Sequence, residues 1–331
     1  YRIAPGADRV AFDTFGFQSG DIVTAVNGLL LSDASNTVKL YQTMKDATQA
    51  LVEGNYGLTI FPEGNVYFTN DRVNPFLEGA SFIGMKAQKE LGDSATIYII
   101  PTAIKATHLS DQRETVRNMI SQIAGSGTAA SGHDLVAQLK KAGLRLLEEQ
   151  LLIRRFPVDH LDASAVPESL AVSAEHVIAD LEDRMEEQPK SGESQLDRVR
   201  RLRRKIHKIR MDPDSKASEP QADAWANQAM LALRILSYSG DYLDEKPTLD
   251  RIAETTEKLL EDMTSELQVP FAERHVYVNF APPIALTEWL PDYNQQGRQT
   301  LEALTTHCEQ AVQAGLDTIN AVNPHPGGTL F

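Results

Sequence analysis

The sequence predicts an α/β protein with a small strand-bearing front and a large helical rear. Three observations carry this. A strand–helix–strand pattern runs from Gly57 to Ile100, the layout of a βαβ unit. After Thr107, segment after segment shows apolar residues at helical spacing. Only one later segment, Arg274 to Phe280, alternates with period two.

Taken in order, residues 1–34 are rich in turns and short apolar runs. Asp21 to Gly28 reads as a short strand closed by Asn27-Gly28, a strong hairpin signal. Asn36 to Val52 reads as a helix, capped by Ser35 or Asn36, with Val38, Tyr41, Met44 and Leu51 on one stripe. Gly57 to Phe61 is a short apolar strand ending at Pro62, and a loop follows from Asn65 to Pro75. Phe76 to Leu91 is a helix whose small residues Gly79, Ala80 and Gly84 invite close packing. Ala95 to Ile100 is a continuous apolar run stopped by Pro101, as expected of a buried parallel strand. Helices are then predicted over 109–123, 133–153, 167–187, 195–211, 222–239 and 248–267, with Gly, Pro and Ser in the breaks. A last helix runs from Gln296 to Val322, followed by a loose tail.

Composition narrows the function classes. Hydrophobic residues are 42% and charged residues 24%, which supports a buried core. The net charge of −14 argues against nucleic-acid binding. The single cysteine, Cys308, excludes a disulfide framework within the chain and a cysteine-based zinc site. The histidines show no metal-ligand spacing. No apolar run approaches the roughly 20 residues of a membrane-spanning helix, and none reads as a signal peptide. The chain opens on Tyr1, within what reads as a strand, and is expected to be a fragment or an excised piece.

The most informative block is Phe61-Pro62-Glu63-Gly64, directly after a predicted strand. With Gly79-Ala80 on the next helix and Ile100-Pro101 ending the next strand, it resembles the 1-acylglycerol-3-phosphate acyltransferase superfamily. A subgroup with a long helical extension is similar to Asn70-Asp71-Arg72-Val73 and to Ser237-Tyr238-Ser239-Gly240-Asp241-Tyr242. The resemblance covers about residues 51–331. It implies acyl transfer from a thioester donor, acyl-CoA or acyl carrier protein, to a glycerophospholipid-type hydroxyl, without a further cofactor or metal. Phe61, Pro62, Glu63 and Gly64 would position the acceptor, with Arg72 the nearest arginine for a phosphate. The block continues here as Asn65-Val66-Tyr67, where the family commonly has Thr-Arg-Ser.

In that family the general base belongs to His-x-x-x-x-Asp, upstream of this block. No histidine precedes Phe61, and the first is His108. The one literal match, His207 to Asp212, follows the block and lies in a very basic helix, so it is read as a coincidence. No catalytic residue is therefore assigned, and the chain is expected to be impaired or inactive as an acyltransferase.

Residues 1–50 carry Tyr1-Arg2-Ile3-Ala4-Pro5-Gly6, Phe17-Gln18-Ser19-Gly20-Asp21-Ile22-Val23, Val26-Asn27-Gly28 and Leu40-Tyr41-Gln42-Thr43-Met44. These resemble the PDZ-like domain of the C component of type II secretion systems. The alternative function is accordingly a protein-binding module of such a system, fused to a passenger. The closing strand of such a domain is absent or supplied by Gly57 to Phe61, and no specific binding to secretion-system partners is expected, since the peptide groove needs an intact strand and helix pair. The junction falls within about 46–51, and a misassembled frame or a chimera explains it better than a natural fusion, because both partners are cut inside their folds.

The expected domains are a PDZ-like fragment at 1–50, an acyltransferase core remnant at 51–110 and a mainly helical extension at 111–331. Arg198 to Arg210 is dense in basic residues and reads either as a peripheral membrane contact or as a solvated helix paired with acidic segments. The acyltransferase resemblance implies the cytoplasm, with peripheral contact at the inner membrane. The secretion resemblance implies the periplasm.

Overall fold

The computed structural model describes residues 35–54, 57–64, 67–125, 134–211, 218–266 and 268–329. The PDZ-like motifs within 1–34 lie outside them, as do Asn65, Val66, His133 and Asp212. Two compact units interleave along the chain, where the sequence reading divides it into consecutive segments.

The first unit comprises described residues from 35–64, 75–99 and 283–308. Helix α1, Ser35–Glu53, is one uninterrupted helix. It runs straight through the expected junction and packs on α2, Gly79–Leu91. Strand β1, Tyr98–Ile99, pairs antiparallel with β4, Ile284–Ala285. Met85, Leu286, Leu301, Leu304 and Cys308 form the core of this unit. Gly84 is needed there, since a Cβ would lie 2.8 Å from Leu286 Cδ1. Gly79, by contrast, faces open space.

Two strand expectations are corrected here. Gly57 to Phe61 forms no strand. The run ending at Ile100 is not a buried parallel strand: it pairs antiparallel, and Tyr98 and Ile100 are 57% and 51% exposed. Apolar runs of this length show that a segment can extend, not which strand it will meet.

The second unit comprises described residues from 67–74, 100–282 and 309–329. Strand β2, Thr102–His108, pairs antiparallel with β3, Arg274–Phe280, from Thr102 opposite Phe280 to His108 opposite Arg274. Ala103, Lys105 and Thr107 point inward, while Ile104, Val276, Val278 and Phe280 share the exposed face. The helices are α3 (Arg113–Ala124), α4 (Leu135–Ile153), α5 (Val166–Arg184), α6 (Gln195–Met211), α7 (Glu219–Leu236), the short α8 (Tyr242–Glu245) and α9 (Leu249–Thr264). Helix α10, Leu290–Val322, is kinked at Gln296 and contributes its later part here.

Side-chain caps set several of these starts. Asp134 accepts from Ala137 N–H, Ser218 from Gln221 N–H and Thr248 from Arg251 N–H. Two helical cores result. One is built from α4, α5, α6 and α7 around Leu151, Val177, Ile178, Leu181 and Leu202. The other is built from α3, α4 and α9 around Ile120, Leu139, Ile252 and Ala253.

Candidate binding site

The Phe61-Pro62-Glu63-Gly64 block is a tight turn in the first unit. Leu77 N–H donates to the Pro62 carbonyl at 2.7 Å and ties the turn to the segment that precedes α2. Gly64 sits at φ +67°, and a Cβ there would collide with the Leu77 side chain. The glycine is thus required by the turn itself. Phe61 is half exposed, and Pro62 and Glu63 are partly buried.

Arg72 lies in the second unit. Its guanidinium is held by Asp241 at 2.9 Å and Glu245 at 2.5 Å, and it sits over the Tyr242 ring. Two carboxylates therefore occupy the cation that the family resemblance offers to a phosphate.

The block Asn70 to Val73 meets the distant block Ser237 to Tyr242. Asp71 N–H donates to the Tyr242 hydroxyl at 3.1 Å. The Asp71 carboxylate takes Lys105 on one oxygen and Arg251 on the other, the latter at 2.9 Å. Lys105 and Asp71 are almost wholly buried. Burial alone would raise the Asp71 carboxyl, but Lys105 and Arg251 outweigh it and hold the group below the usual range.

Glu254 completes the network. Tyr242 O–H donates to one of its oxygens, and Asn70 N–H donates to the other at 3.1 Å. Burial, aided by the Asp71 charge, pushes the Glu254 carboxyl up to about 8 against the pull of Tyr242 and Lys105. Sequence reasoning missed Lys105, Arg251 and Glu254. The only available signal was the charge density of 250–258, which reads as a solvated helix face and is in fact buried.

His108 and Asp250 form a buried pair that looks like half of a catalytic triad. Asp250 accepts from His108 Nδ1 at 2.8 Å, from His108 N–H and from Thr107 O–H. The other ring nitrogen, Nε2, accepts from Arg274 Nε at 3.3 Å. Both ring nitrogens are engaged and the ring is buried, so the pair ties β2 to α9 and β3.

Of the eight basic residues from Arg198 to Arg210, five pair with carboxylates. Arg198 bridges Glu175 and Glu182, and Arg201 bridges Glu182, Glu187 and Glu193. Arg198 and Arg201 thus spend their charge inside the helical bundle. Cys308 is buried, which pushes its thiol up to about 11 and leaves it unreactive. Among the described residues, no group of three or more His, Cys, Asp or Glu side chains could hold a metal.

A cavity with an empty volume of about 1200 Å³, including its open mouth, lies in the second unit. It follows α4 at the seam of the two helical cores. Leu144, Leu147, Leu231 and Ile235 line it from one core, and Leu139 and Leu259 from the other. Gly143 faces into it, and Tyr238 and Tyr242 bring the Ser237 to Tyr242 block to its wall. The mostly apolar lining with a few polar groups is the usual form of a small-molecule site.

A largely helical protein with an apolar cavity beside a buried charge network is what the structure defines. Comparison adds one relative. A stretch of 49 residues is 43% identical to type II secretion system protein C of Vibrio cholerae serotype O1. It covers 15% of this chain and 16% of that protein, so the chain spans about a sixth of the length of the relative it matches. No family model matches the chain, and no solved structure matches it. The acyltransferase resemblance finds no support in these comparisons. Among the described residues, no helix is long and apolar enough to cross a membrane.

Proposed function

We propose that the amino-terminal part of this chain is a protein-recognition segment of a type II secretion apparatus, carried on a larger helical body. The similarity over 49 residues to a secretion-system C protein carries the reading. It goes with a periplasmic location. Recognition is of a folded partner protein and not of a peptide in a groove, since a PDZ groove needs its closing strand. The test is a pull-down of the full chain against purified secretion-system components, backed by a chemical-shift titration. Saturable shifts in residues 1–50 are expected, and the absence of any binding partner among those components would overturn the reading.

A second reading concerns residues 51–331: an acyltransferase-type lipid-acceptor region without its catalytic base, with Phe61 to Gly64 on the acceptor side. One observation favours it. Two of the several blocks that carry the resemblance, Asn70 to Val73 and Ser237 to Tyr242, meet in the fold through Asp71–Tyr242 and Arg72–Asp241. The purified chain is expected to show no turnover with acyl-CoA or acyl carrier protein and a lysophospholipid acceptor. Clear turnover abolished by Glu63→Gln but not by His207→Ala would show an active enzyme with a base elsewhere.

A further inference from the structure

We propose that the cavity along α4 binds a single-chain anionic amphiphile of the fatty-acid type. The inference stands on the cavity itself and on neither reading above.

Shape comes first. The residues that α4 turns into the cavity recur from Leu139 through Gly143 and Leu147 to Arg154, one face of the helix. At 1.5 Å per residue this stripe is about 22 Å long. With C–C bonds of about 1.5 Å, it accommodates an aliphatic chain of more than roughly ten carbons. Much of the lining is leucine and isoleucine, and Gly143 lets Leu259 approach α4: a Cβ there would lie 3.4 Å from it.

Charge gives the sign of the head group. Lys258, Arg234 and Asp262 all line the cavity. Asp262 accepts from Lys258 Nζ at 3.0 Å and from Tyr238 O–H at 2.6 Å on one oxygen, and meets Arg234 Nε at 3.3 Å on the other. Two cations thus share one carboxylate. Lys258 is 9% exposed in its side chain and lies over the Tyr238 ring at 4.3 Å, so its charge is poorly hydrated. Glu261, the next acid along α9, turns its carboxylate to Gln268 N–H and does not line the cavity. At the far end, Arg154 bonds only Gln150 and has no carboxylate partner among the described residues. Lys140 is neutralised by Asp244. The lining thus carries more cations than acids, Lys140, Arg154, Arg234 and Lys258 against Asp262, although Glu261 also acts on Lys258 from outside it. A carboxylate or similar anion beside Arg234 and Lys258 balances the excess, with the tail laid along the α4 stripe.

The experiment is calorimetric titration of the full chain with myristate below its micelle concentration, against 1-tetradecanol and tetradecyltrimethylammonium. Saturable one-to-one binding of myristate is expected, with the cationic analogue at least tenfold weaker. Gly143→Leu, which fills the groove, should weaken myristate binding at least tenfold. Arg234→Gln, a substitution of a half-exposed side chain, should weaken myristate severalfold while leaving tetradecanol unchanged, and it decides the matter if Gly143→Leu fails to fold. No saturable binding, equal binding of the cationic analogue, or myristate affinity unmoved by Arg234→Gln would each overturn the proposal.

Discussion

Replacing Glu254 with glutamine should make the protein more stable in alkali and nearly leave it alone in mild acid. Glu254 is 8% exposed, and its carboxyl is pushed up to about 8 from an ordinary value of 4.5. A carboxyl raised on folding contributes stability that is full below about pH 4.5 and is lost as pH rises through about 8. Across that window the folded state keeps a proton that the unfolded chain releases. At 1.36 kcal/mol per unit, the loss reaches about 5 kcal/mol at most, with the attraction of Lys105 already included. Glutamine approximates the protonated acid in shape and neutrality, and its carbonyl can accept from Asn70 N–H. Urea unfolding followed by circular dichroism should place Glu254→Gln within about 1 kcal/mol of the parent at pH 5 and several kcal/mol above it at pH 9. The reasoning is refuted if Glu254→Gln loses about 3 kcal/mol or more at both pH values, the signature of an ionised carboxylate paired with Lys105.

Lys105→Met would leave the buried Asp71 carboxylate with Arg251 alone and should destabilise the fold by about 3–5 kcal/mol, read from the urea midpoint. Gly64→Ala should lower the melting temperature through left-handed strain of about 1–2 kcal/mol plus the collision with Leu77. Gly79→Ala, in open space on α2, should not lower it. His160 is lowered by burial first and by the neighbouring His176 second. Its depressed value means stability is lost as pH falls below about 6.5, where the unfolded imidazole takes up a proton first. His160→Gln should flatten the melting temperature between pH 7.5 and 5.5, and an unchanged slope would exclude His160 as its source.

The local pattern was legible where one period dominated. Gln195–Met211 and Arg274–Phe280 have the boundaries read from the sequence, and α4 ends at Ile153 as expected. Val276, Val278 and Phe280 share one face of β3, although that face is exposed. Pro62–Gly64, read from the sequence as an acceptor-positioning block, is a turn, and Ser237 to Tyr242 is a packed corner after α7. At that corner Gly240 sits at φ +79°, with a would-be Cβ 2.8 Å from Pro167 N.

What the sequence by itself determined was this succession of helices and turns, together with the two blocks that the fold later joined. Each depends on residues within a few positions of one another, where spacing and caps act directly. The tertiary structure alone decided that Tyr98–Ile99 pairs antiparallel with a strand at residues 284–285. It alone decided that Lys105 turns inward to Asp71, and that the charges at 250–258 are buried rather than wet. Those outcomes depend on which distant groups meet. A buried carboxylate is tolerable only where cations from other elements converge on it, and no period along the chain records that convergence.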